Sequence, residues 1–439
     1  MSREFFGTDG VRGLAGEYPL DEEGARHIGA AVGQYFATSG QGVVIGHDPR
    51  ESSPKLVRAL TDGLNCSGVI VTRVGVIPTP GLAYLTRQHN EFKAGLMVTA
   101  SHNSYEYNGI KVFGPSGDKL PDESEYILNK LIKERVTGKS SGSVIDKPDM
   151  VREYEDFLVD NGHGLNLHSM AVAFDSANGA ASGLGQRVFE RLGAHVTSLF
   201  DHCDGKNIND GCGATDTRVL AERVVKDQLD LGIAVDGDAD RLMMVDGHGH
   251  VIDGDQLLYI LAVSGHHNGV VATVMSNVGL EQALKRHNIR LLRTAVGDRY
   301  VLDGLKKSGL TLGGEKSGHI ILPELLATGD ALLAAVVLLT AIYNSKRDLA
   351  DWCQEVQLVP QALVNISLPN KTALDNPHVK NFIKKQHEAI DGKGRVLIRP
   401  SGTEPLVRVM VEAQQADKLV LDIAEGLERQ LMRTNKEGK

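Results

Sequence analysis

Short runs of β-branched residues recur along the chain, and each ends in polar or glycine residues before an amphipathic stretch begins. The apolar runs include GVVIGHD, GLMVTASHN, MAVAFDSANG, LGIAVDGDADR, GVVATVMSN and LTLGGEKSGH. The stretches between them have helical periodicity over 21–38, 54–66, 179–192, 217–228 and 329–345. Because strands and helices alternate in this way, the sequence predicts α/β layers built on mixed, largely parallel sheets.

The alternation also indicates how the chain divides into domains. At 439 residues the chain is too long for one compact core. The pattern breaks near 140–150, 250 and 365, and the segment 137–149 is rich in Gly and Ser with one proline, which is typical of a linker. The last block predicts a helix over about 372–389, two strands and a final helix, a small α+β unit. We therefore predict domains at 1–148, 149–250, 251–366 and 367–439.

Composition excludes several classes of protein. The 47 basic and 56 acidic residues give a net charge of −9, which argues against a nucleic-acid binder and gives no sign of a membrane surface. Four cysteines without CxxC spacing favour reduced thiols over disulfides. The first ten residues lack the apolar core of a signal peptide, and the apolar run 331–343 is shorter than the roughly 20 residues of a membrane helix. We expect a cytoplasmic protein.

Three aspartates, Asp236, Asp238 and Asp240, occupy alternate positions directly after an apolar run. Carboxylates this close repel one another unless positive charge lies between them. Alternate positions of an extended chain face the same way, and oxygen ligands suit a hard cation such as Mg²⁺. An EF-hand is disfavoured because Arg241 replaces its turn glycine and Gly247 its final glutamate. A solvated acidic turn is the alternative.

The most polar strand exit is TASHNSYEYNGIK (99–111), which follows an apolar run. Ser101, His102 and Lys111 place a hydroxyl, an imidazole and an ammonium in one loop, a combination that suggests a nucleophile, a proton acceptor and a charge stabiliser. A turn that caps a helix is the alternative, and without a G-x-S-x-G motif an esterase is disfavoured. A phosphate on Ser101 would supply a further oxygen ligand, and Mg²⁺ could neutralise charge as the phosphoryl group moves to an acceptor hydroxyl.

Five motifs in this order resemble those of the α-D-phosphohexomutases, and together they span nearly the whole chain. They are FGTDGVRG (6–13), TASHN…NGIK (99–111), DGDADR (236–241), GEKSGH (314–319) and RPSGTEPLVRV (399–409). The resemblance implies four domains around a central cleft, three of them similar α/β domains and the last a smaller α+β domain. It also implies that Ser101 is carried as phosphoserine.

The resemblance implies a role for each residue that matches a family motif. One Mg²⁺ per subunit would be held by Ser101, Asp236, Asp238 and Asp240. Near the transferred phosphate would lie Arg12, His102, Lys111 and Arg241, with Lys111 a candidate general acid/base and Arg241 the one with the strongest case for a mainly structural role. The groups implied to bind substrate are Asp298, Arg299, Glu315, Ser317, Arg399, Ser401, Gly402, Thr403 and Arg408. Of these, Glu315 and Ser317 would grip sugar hydroxyls, and the set from Arg399 to Arg408 would hold the phosphate that is not reacting.

Within the superfamily the chain is most similar to the bacterial phosphoglucosamine mutases, through FGTDGVRG and the loop VGDRYV (296–301). That family interconverts glucosamine 6-phosphate and glucosamine 1-phosphate through a 1,6-bisphosphate intermediate, on the route to UDP-N-acetylglucosamine and cell-wall precursors. The resemblance implies a bisphosphorylated amino sugar as activator and a possible homodimer. A phosphomannomutase/phosphoglucomutase is the nearest alternative; a catalytically silent sugar-phosphate binder and a Mg²⁺ phosphatase are more distant ones.

The chain departs from the family pattern at three positions. Ser104 stands where proline is common, and Ala239 replaces the glycine usual in the metal loop of this subfamily. These two changes should alter loop stiffness and leave the ligands in place. Lys316 stands where Asn or Gln is frequent, and it puts the sugar preference in question.

Overall fold

The computed structural model describes residues 5–7, 10–36, 40–136, 141–367, 371–390, 394–400 and 406–437. Contacts divide the chain into two compact units, one of Met1–Thr273 with Leu291–Cys353 and one of Val274–Arg290 with Gln354–Lys439. Among the described residues, no helix combines the length and the hydrophobicity needed to cross a bilayer. The four domain boundaries given above stay a prediction.

The first block is an α/β layer whose described strands lie in the order β1-β2-β6-β5-β3-β4-β7. Its elements are β1 (Phe6–Gly7), β2 (Gly10–Leu14), α1 (Glu22–Phe36), β3 (Gly42–His47), α2 (Ser53–Asn65), β4 (Ile70–Val76), α3 (Thr79–Gln88), β5 (Phe92–Val98), β6 (Tyr107–Phe113), α4 (Asp122–Lys133) and β7 (Ser143–Asp146). Strand β3 is parallel to β4 and β5, whereas β6 is antiparallel to β2 and β5. Val43 and Ile45 join one buried cluster and Val44 the other, so apolar side chains cover both faces of the sheet.

The predicted linker at 137–149 is wrong for the part that the structure describes. Ser143–Asp146 forms β7, which pairs in parallel with β4, and Pro148–Met150 is a short 3-10 turn. All four side chains of β7 are exposed, because an edge strand can be polar on both faces and still use its backbone hydrogen bonds. Residues 137–140 lie outside the described residues.

The second block is a smaller α/β layer in which a hairpin follows the central strand. Its elements are α5 (Val151–Asn161), β8 (Ala171–Asp175), α6 (Leu184–Arg191), β9 (His195–Leu199), α7 (Arg218–Lys226), β10 (Leu231–Val235), β11 (Leu242–Asp246) and β12 (Val251–Ile252). The strand order is β12-β11-β10-β8-β9, with β8 parallel to β9 and β10. The β10–β11 connection, 236–241, carries the three aspartates.

The third block follows the same alternation with shorter strands in the order β14-β13-β15-β16. Its elements are α8 (Gly254–Ser264), β13 (Gly269–Thr273), α9 (Val278–Arg286), β14 (Arg290–Thr294), α10 (Asp298–Ser308), β15 (Gly313–Gly314), β16 (Ile320–Ile321), α11 (Ala331–Ser345) and α12 (Leu349–Gln354). The apolar run at 331–343 forms α11, and most of its first nine residues are buried, so the predicted buried helix is confirmed.

The last block is a three-stranded antiparallel sheet in the order β17-β19-β18, packed with two helices. Its elements are β17 (Gln361–Ser367), a 3-10 turn (Lys371–Asp375), α13 (Pro377–Ile390), β18 (Gly394–Pro400), β19 (Leu406–Ala413) and α14 (Ala416–Glu437). The predicted α+β unit is confirmed, and with the three α/β blocks so is the predicted fold class.

Candidate active site

The three aspartates of the β10–β11 connection converge on one point. Each is buried, and one oxygen of each lies within 4.8 Å of the others. The turn is closed by the backbone amides of Asp240 and Arg241, which both donate to Oδ1 of Asp236 at 3.1 Å. Ala239 sits in the left-handed region at φ 58°, where the family pattern has glycine. The turn therefore closes with an alanine at this position.

The arrangement fits a hard divalent cation. Oδ1 of Asp238 is buried and has no hydrogen-bond partner among the described residues, although a buried carboxylate oxygen normally has one. Lys111 places its Nζ 2.8 Å from Oδ2 of Asp238 and 3.0 Å from Oδ2 of Asp240. Three buried carboxylates that converge in this way, one of them with an oxygen that has no hydrogen-bond partner among the described residues, offer the oxygen donors that suit Mg²⁺.

Ser101 follows β5 and lies against the aspartates. Its Oγ donates to Oδ2 of Asp236 at 2.7 Å and is 3.4 Å from Nδ1 of His102. The serine has φ 51°, an uncommon conformation for a residue with a Cβ, and its amide donates to Oγ1 of Thr99 at 2.9 Å. Backbone strain of this kind is typical of functional sites.

Burial and neighbouring charges shift the pKa of several of these groups. Burial, followed by the cations Arg241 and Arg12, lowers the pKa of His102 to about 4, so the imidazole is uncharged at neutral pH. Burial and the adjacent carboxylates raise the pKa of Asp236 to about 8. Burial opposes ionisation of Asp240 as well, but Lys111 and His319 outweigh it and hold the pKa of that carboxyl well below its usual range.

Two arginines implied to lie near the transferred phosphate are close to this cluster. Arg241 has its Nε 4.0 Å from Oδ2 of Asp236 and 3.9 Å from Oδ1 of Asp240, and these carboxylates raise the pKa of the guanidinium despite its burial. Arg12, on β2, reaches Oδ1 of Asn103 at 3.5 Å. Arg241 therefore lies beside the aspartates, and Arg12 lies beside the loop that carries Ser101.

The GEKSGH turn packs directly on the β10–β11 connection (236–241), the metal loop that carries the three aspartates. Oε1 of Glu315 accepts the amide of Gly297 at 2.9 Å, and Ser317 lies half-buried in the same turn. Gly318 has φ 89°, and a Cβ there would lie 2.0 Å from the carbonyl oxygen of Leu242, so the close approach requires glycine. Lys316 points to Asp253, with 3.8 Å between Nζ and Oδ2.

The segment VGDRYV contacts the first block, and only its first two residues lie in the expected loop, because α10 begins at Asp298. Asp298 forms an ion pair with Lys119, and its Oδ2 lies 3.5 Å from Nε2 of His319. Arg299 pairs with Asp122 and donates to Oε2 of Glu125 at 3.2 Å. Of the two residues, Asp298 is linked to the aspartate cluster through His319, whereas Arg299 contacts α4. Their proposed contacts with the sugar stay a prediction.

In the smaller unit, Arg399 and Arg408 are directly opposite each other on β18 and β19. Val407 and Val409 are buried in the core of this unit, so Arg408 lies on the opposite face of β19 from these two valines, as predicted. Burial and the charge of Arg408 lower the pKa of Arg399. Like charges directly opposite one another destabilise a sheet, which favours an anion between them. Ser401, Gly402 and Thr403 lie outside the described residues.

Five contributors to the site were missing from the sequence prediction: Asp48, Arg50, Thr79, Asn209 and His319. Thr79 forms a short hydrogen bond from Oγ1 to Asp238, and Nδ1 of His319 lies 3.5 Å from Oδ1 of Asp240. His319 is the last residue of the GEKSGH motif, and Asp48 directly follows the buried strand β3, so the position of each in the sequence could have indicated a place in the site. Asn209 and Thr79 are neutral residues in ordinary loop or helix-start sequence.

Comparison with known proteins places this geometry in a family. The chain matches the phosphoglucomutase/phosphomannomutase models for α/β/α domain I over 3–138, domain II over 153–249, domain III over 253–359 and the C-terminal domain over 363–430. A phosphoglucosamine mutase of Thermus thermophilus is 44% identical over 427 residues, covering 96% of this chain and 97% of the relative. The chain belongs to the phosphoglucosamine mutase family.

Other members and solved structures agree with the family and its fold. The phosphoglucosamine mutase of Alcanivorax borkumensis is 42% identical, covering 98% of this chain and 99% of the relative. A phosphoglucomutase/phosphomannomutase family protein of Burkholderia thailandensis matches with a TM-score of 0.81 at 25% identity, covering 99% and 98% of the two chains. The N-acetylphosphoglucosamine mutase of Aspergillus fumigatus, in complex with GlcNAc-6P and magnesium, shares the fold with a TM-score of 0.68 at 16% identity, covering 98% and 97%.

Proposed function

We propose that the chain is a phosphoglucosamine mutase that interconverts glucosamine 6-phosphate and glucosamine 1-phosphate. The observation that carries the proposal is the contact between Ser101 and Asp236, which puts a strand-exit hydroxyl at the edge of a buried carboxylate cluster. The family supplies the substrate class, since relatives above 40% identity over nearly the full chain are named phosphoglucosamine mutase.

The proposed reaction starts from the phosphoserine form of the enzyme. The bond between phosphorus and Oγ of Ser101 breaks while a bond forms to the O1 oxygen of glucosamine 6-phosphate, and the proton lost by O1 is replaced on Oγ of Ser101, the leaving oxygen. The product is a bound 1,6-bisphosphate. After the intermediate reorients in the site, Oγ of Ser101 gives up its proton and takes the 6-phosphoryl group, O6 gains a proton in exchange, and glucosamine 1-phosphate leaves.

The residues around Ser101 suit this exchange. Lys111 and Arg241 bring positive charge to the place where the phosphoryl group moves, and such preorganised charge is the main source of catalysis in phosphoryl transfer. His102 and Lys111 are the candidates for exchanging the proton of the sugar hydroxyl. Ser101, Asp236, Asp238 and Asp240 would hold Mg²⁺, which when bound supplies charge stabilisation to the phosphoryl oxygens.

A mutase also needs a second grip for the phosphate that is not reacting. We assign this role to Arg399 and Arg408, whose side chains share one face of the small sheet and would be relieved of mutual repulsion by a phosphate. A kinase or a phosphatase has no need of such a pair. The fully retained set of Ser101, Lys111 and the aspartates likewise argues against a silent sugar-phosphate binder.

The preference for an amino sugar is assigned to the third block. Glu315 presents a carboxylate in the turn that packs on the metal loop, and a carboxylate can pair with a protonated 2-amino group. The ammonium of Lys316 lies 3.8 Å from Oδ2 of Asp253, so its charge is directed to that carboxylate. The carboxylate of Glu315 contacts the amide of Gly297 instead, and we assign the contact with the amino group to Glu315. We further propose a cytoplasmic location, a homodimer, and activation by the bisphosphorylated amino sugar.

The test is a comparison of kcat/KM for glucosamine 1-phosphate, glucose 1-phosphate and mannose 1-phosphate with one enzyme preparation. We expect the amino sugar to have the highest value, and Ser101→Ala, the matched control, to be inactive with all three. A higher kcat/KM for glucose or mannose phosphate would assign the chain to the phosphomannomutase/phosphoglucomutase activity instead. Release of inorganic phosphate without isomerisation would indicate a phosphatase.

A further inference from the structure

The side chain of Asn209 touches both loops of the candidate active site. Its Nδ2 donates to the carbonyl oxygens of Ser101 at 2.9 Å and Asn103 at 3.0 Å. Its Oδ1 accepts the amide of Gly237, in the metal loop, at 2.9 Å. One neutral side chain from the second block therefore links the backbone of the serine loop to the backbone of the aspartate loop.

The two loops approach each other closely at this point. A Cβ on Gly237 would lie 2.6 Å from the carbonyl oxygen of Ser101 and 2.8 Å from Nδ2 of Asn209, so only glycine permits the approach. Asn209 itself has φ 59°, a conformation that asparagine tolerates better than most residues, and its amide donates to the carbonyl of Ala177 at 2.9 Å. The backbone thus holds the amide group of Asn209 in a fixed place.

A buried arginine holds the same carbonyl oxygens from the first block. Arg50 is fully buried, and one terminal nitrogen of its guanidinium donates to Ser101 at 2.9 Å and Asn103 at 2.8 Å. Asp48 balances its charge through Nε at 2.8 Å and also accepts Oγ1 of Thr99 at 2.7 Å. Arg50 therefore fixes the serine loop within its own block, whereas Asn209 connects that loop to the aspartates.

We propose that Asn209 is a positioning residue for phosphoryl transfer, one that sets the distance between Ser101 and the aspartate cluster. The inference rests on the proposed function, because its consequence is expressed in the mutase reaction. The contacts of Asn209 described above are with backbone groups of the two loops. Its loss should therefore misplace the reacting groups without weakening the grip on the sugar phosphate.

The variant Asn209→Ala removes all three hydrogen bonds, and Asn209→Asp keeps the volume but places carboxylate oxygen against two carbonyl oxygens. A misplacement of about 1 Å in reacting groups costs roughly a hundredfold in rate. We expect both variants to lower kcat by roughly that factor while KM for glucosamine 1-phosphate stays unchanged. The matched control is Asn207→Ala, because Asn207 lies in the same loop and its side chain contacts His202 and Asp204.

Two measurements separate positioning from a general loss of structure. Intact mass gives the phosphorylated fraction of each protein, so that kcat is expressed per phosphoserine. Hydrogen exchange, followed by mass spectrometry on peptides covering 99–107 and 235–241, reports the opening of the two loops, and the second peptide includes the amide of Gly237. We expect faster exchange in both peptides for Asn209→Ala. For Asn209→Asp, whose carboxylate can still accept the amide of Gly237, we expect faster exchange in 99–107, and for Asn207→Ala wild-type exchange in both.

The proposal is overturned if the Asn209 variants keep the kcat of Asn207→Ala, or if kcat falls while exchange in both peptides stays at the wild-type rate. It is also overturned if KM rises by the same factor as kcat falls. Should Asn209→Ala fail to fold, the same readings on Asn209→Asp decide the matter. If the wild-type enzyme is inactive on glucosamine phosphates, the proposed function fails, but the proposal for Asn209 can still be tested. The same variants are then compared by their exchange data and by their kcat with the sugar phosphate that the enzyme does convert.

Discussion

Lys111 is the ammonium that balances the aspartate cluster, and replacing it with methionine tests that balance. The side chains of Lys111 and Asp238 are 3% and 0% exposed, and Nζ lies 2.8 Å from Oδ2 of Asp238 and 3.0 Å from Oδ2 of Asp240. Methionine has a similar length and no charge. Lys111→Met therefore leaves buried carboxylates with less positive charge to offset them.

The size of the effect follows from burial. Removing one partner of a buried ion pair costs about 3–5 kcal/mol, because the remaining charge is left uncompensated. At roughly 2–4 °C per kcal/mol, the melting temperature in chelator should fall by roughly 6–20 °C. The matched control is Lys55→Met, whose partner is Glu22; these side chains are 63% and 52% exposed, and water screens such a surface pair so that its loss should barely change the melting temperature.

Calorimetry with and without Mg²⁺ checks the reasoning. A cation bound to the carboxylates replaces the lost charge, and binding to the folded state raises the melting temperature. We expect Mg²⁺ to raise the melting temperature of Lys111→Met more than that of wild type or Lys55→Met. The reasoning is refuted if Lys111→Met and Lys55→Met have the same melting temperature in chelator, or if Mg²⁺ raises the melting temperatures of all three proteins equally.

Three further predictions concern other residues. Burial raises the pKa of Asp330 to about 7, so the folded state holds this proton more tightly than the unfolded state, and stability is lost as pH rises from about 4 to 7. Asp330→Asn can still accept hydrogen bonds from Tyr154 and Leu333, so its melting temperature should exceed that of wild type at pH 8 and equal it at pH 4. A difference in melting temperature that does not depend on pH would contradict this. Asp238→Asn should weaken Mg²⁺ activation, since it removes a charge from an oxygen-only site, and full activity in excess chelator would exclude a metal role. Arg408→Ala should raise KM by roughly tenfold to a hundredfold, the equivalent of a charge-assisted contact of about 1.5–3 kcal/mol, and should release bisphosphate; a folded variant with unchanged KM and no release would remove Arg408 from the phosphate site.

The sequence predicted those parts of the site where charged side chains need a counter-ion in order to be buried. Asp236, Asp238 and Asp240 could not be buried together without cations, and this requirement led to a metal and to Ser101, 135 residues away from Asp236. Hydrophobic periodicity located helices such as α2, predicted over 54–66 and observed over Ser53–Asn65. Both signals are strong because they reflect large free-energy terms.

Residues whose importance comes only from tertiary contacts could not be predicted in this way. Asn209 is a neutral amide in a polar loop, and nothing in its neighbourhood requires that it meet a carbonyl group 108 residues away. The edge strand at Ser143–Asp146 has a linker-like sequence, because pairing with one neighbour needs backbone groups rather than apolar side chains. Arg299 was assigned to substrate by resemblance alone, whereas the structure pairs it with Asp122 and Glu125.

The central claim is that phosphate moves from Ser101 to O1 of glucosamine 6-phosphate and that the sugar keeps it. The most direct test is a single turnover with enzyme carrying ³²P on Ser101, mixed with unlabelled glucosamine 6-phosphate. The account predicts that the label leaves the protein and appears in glucosamine 1-phosphate, passing through the 1,6-bisphosphate. Label released as inorganic phosphate, or label retained on Ser101 while unlabelled sugar is isomerised, would contradict it.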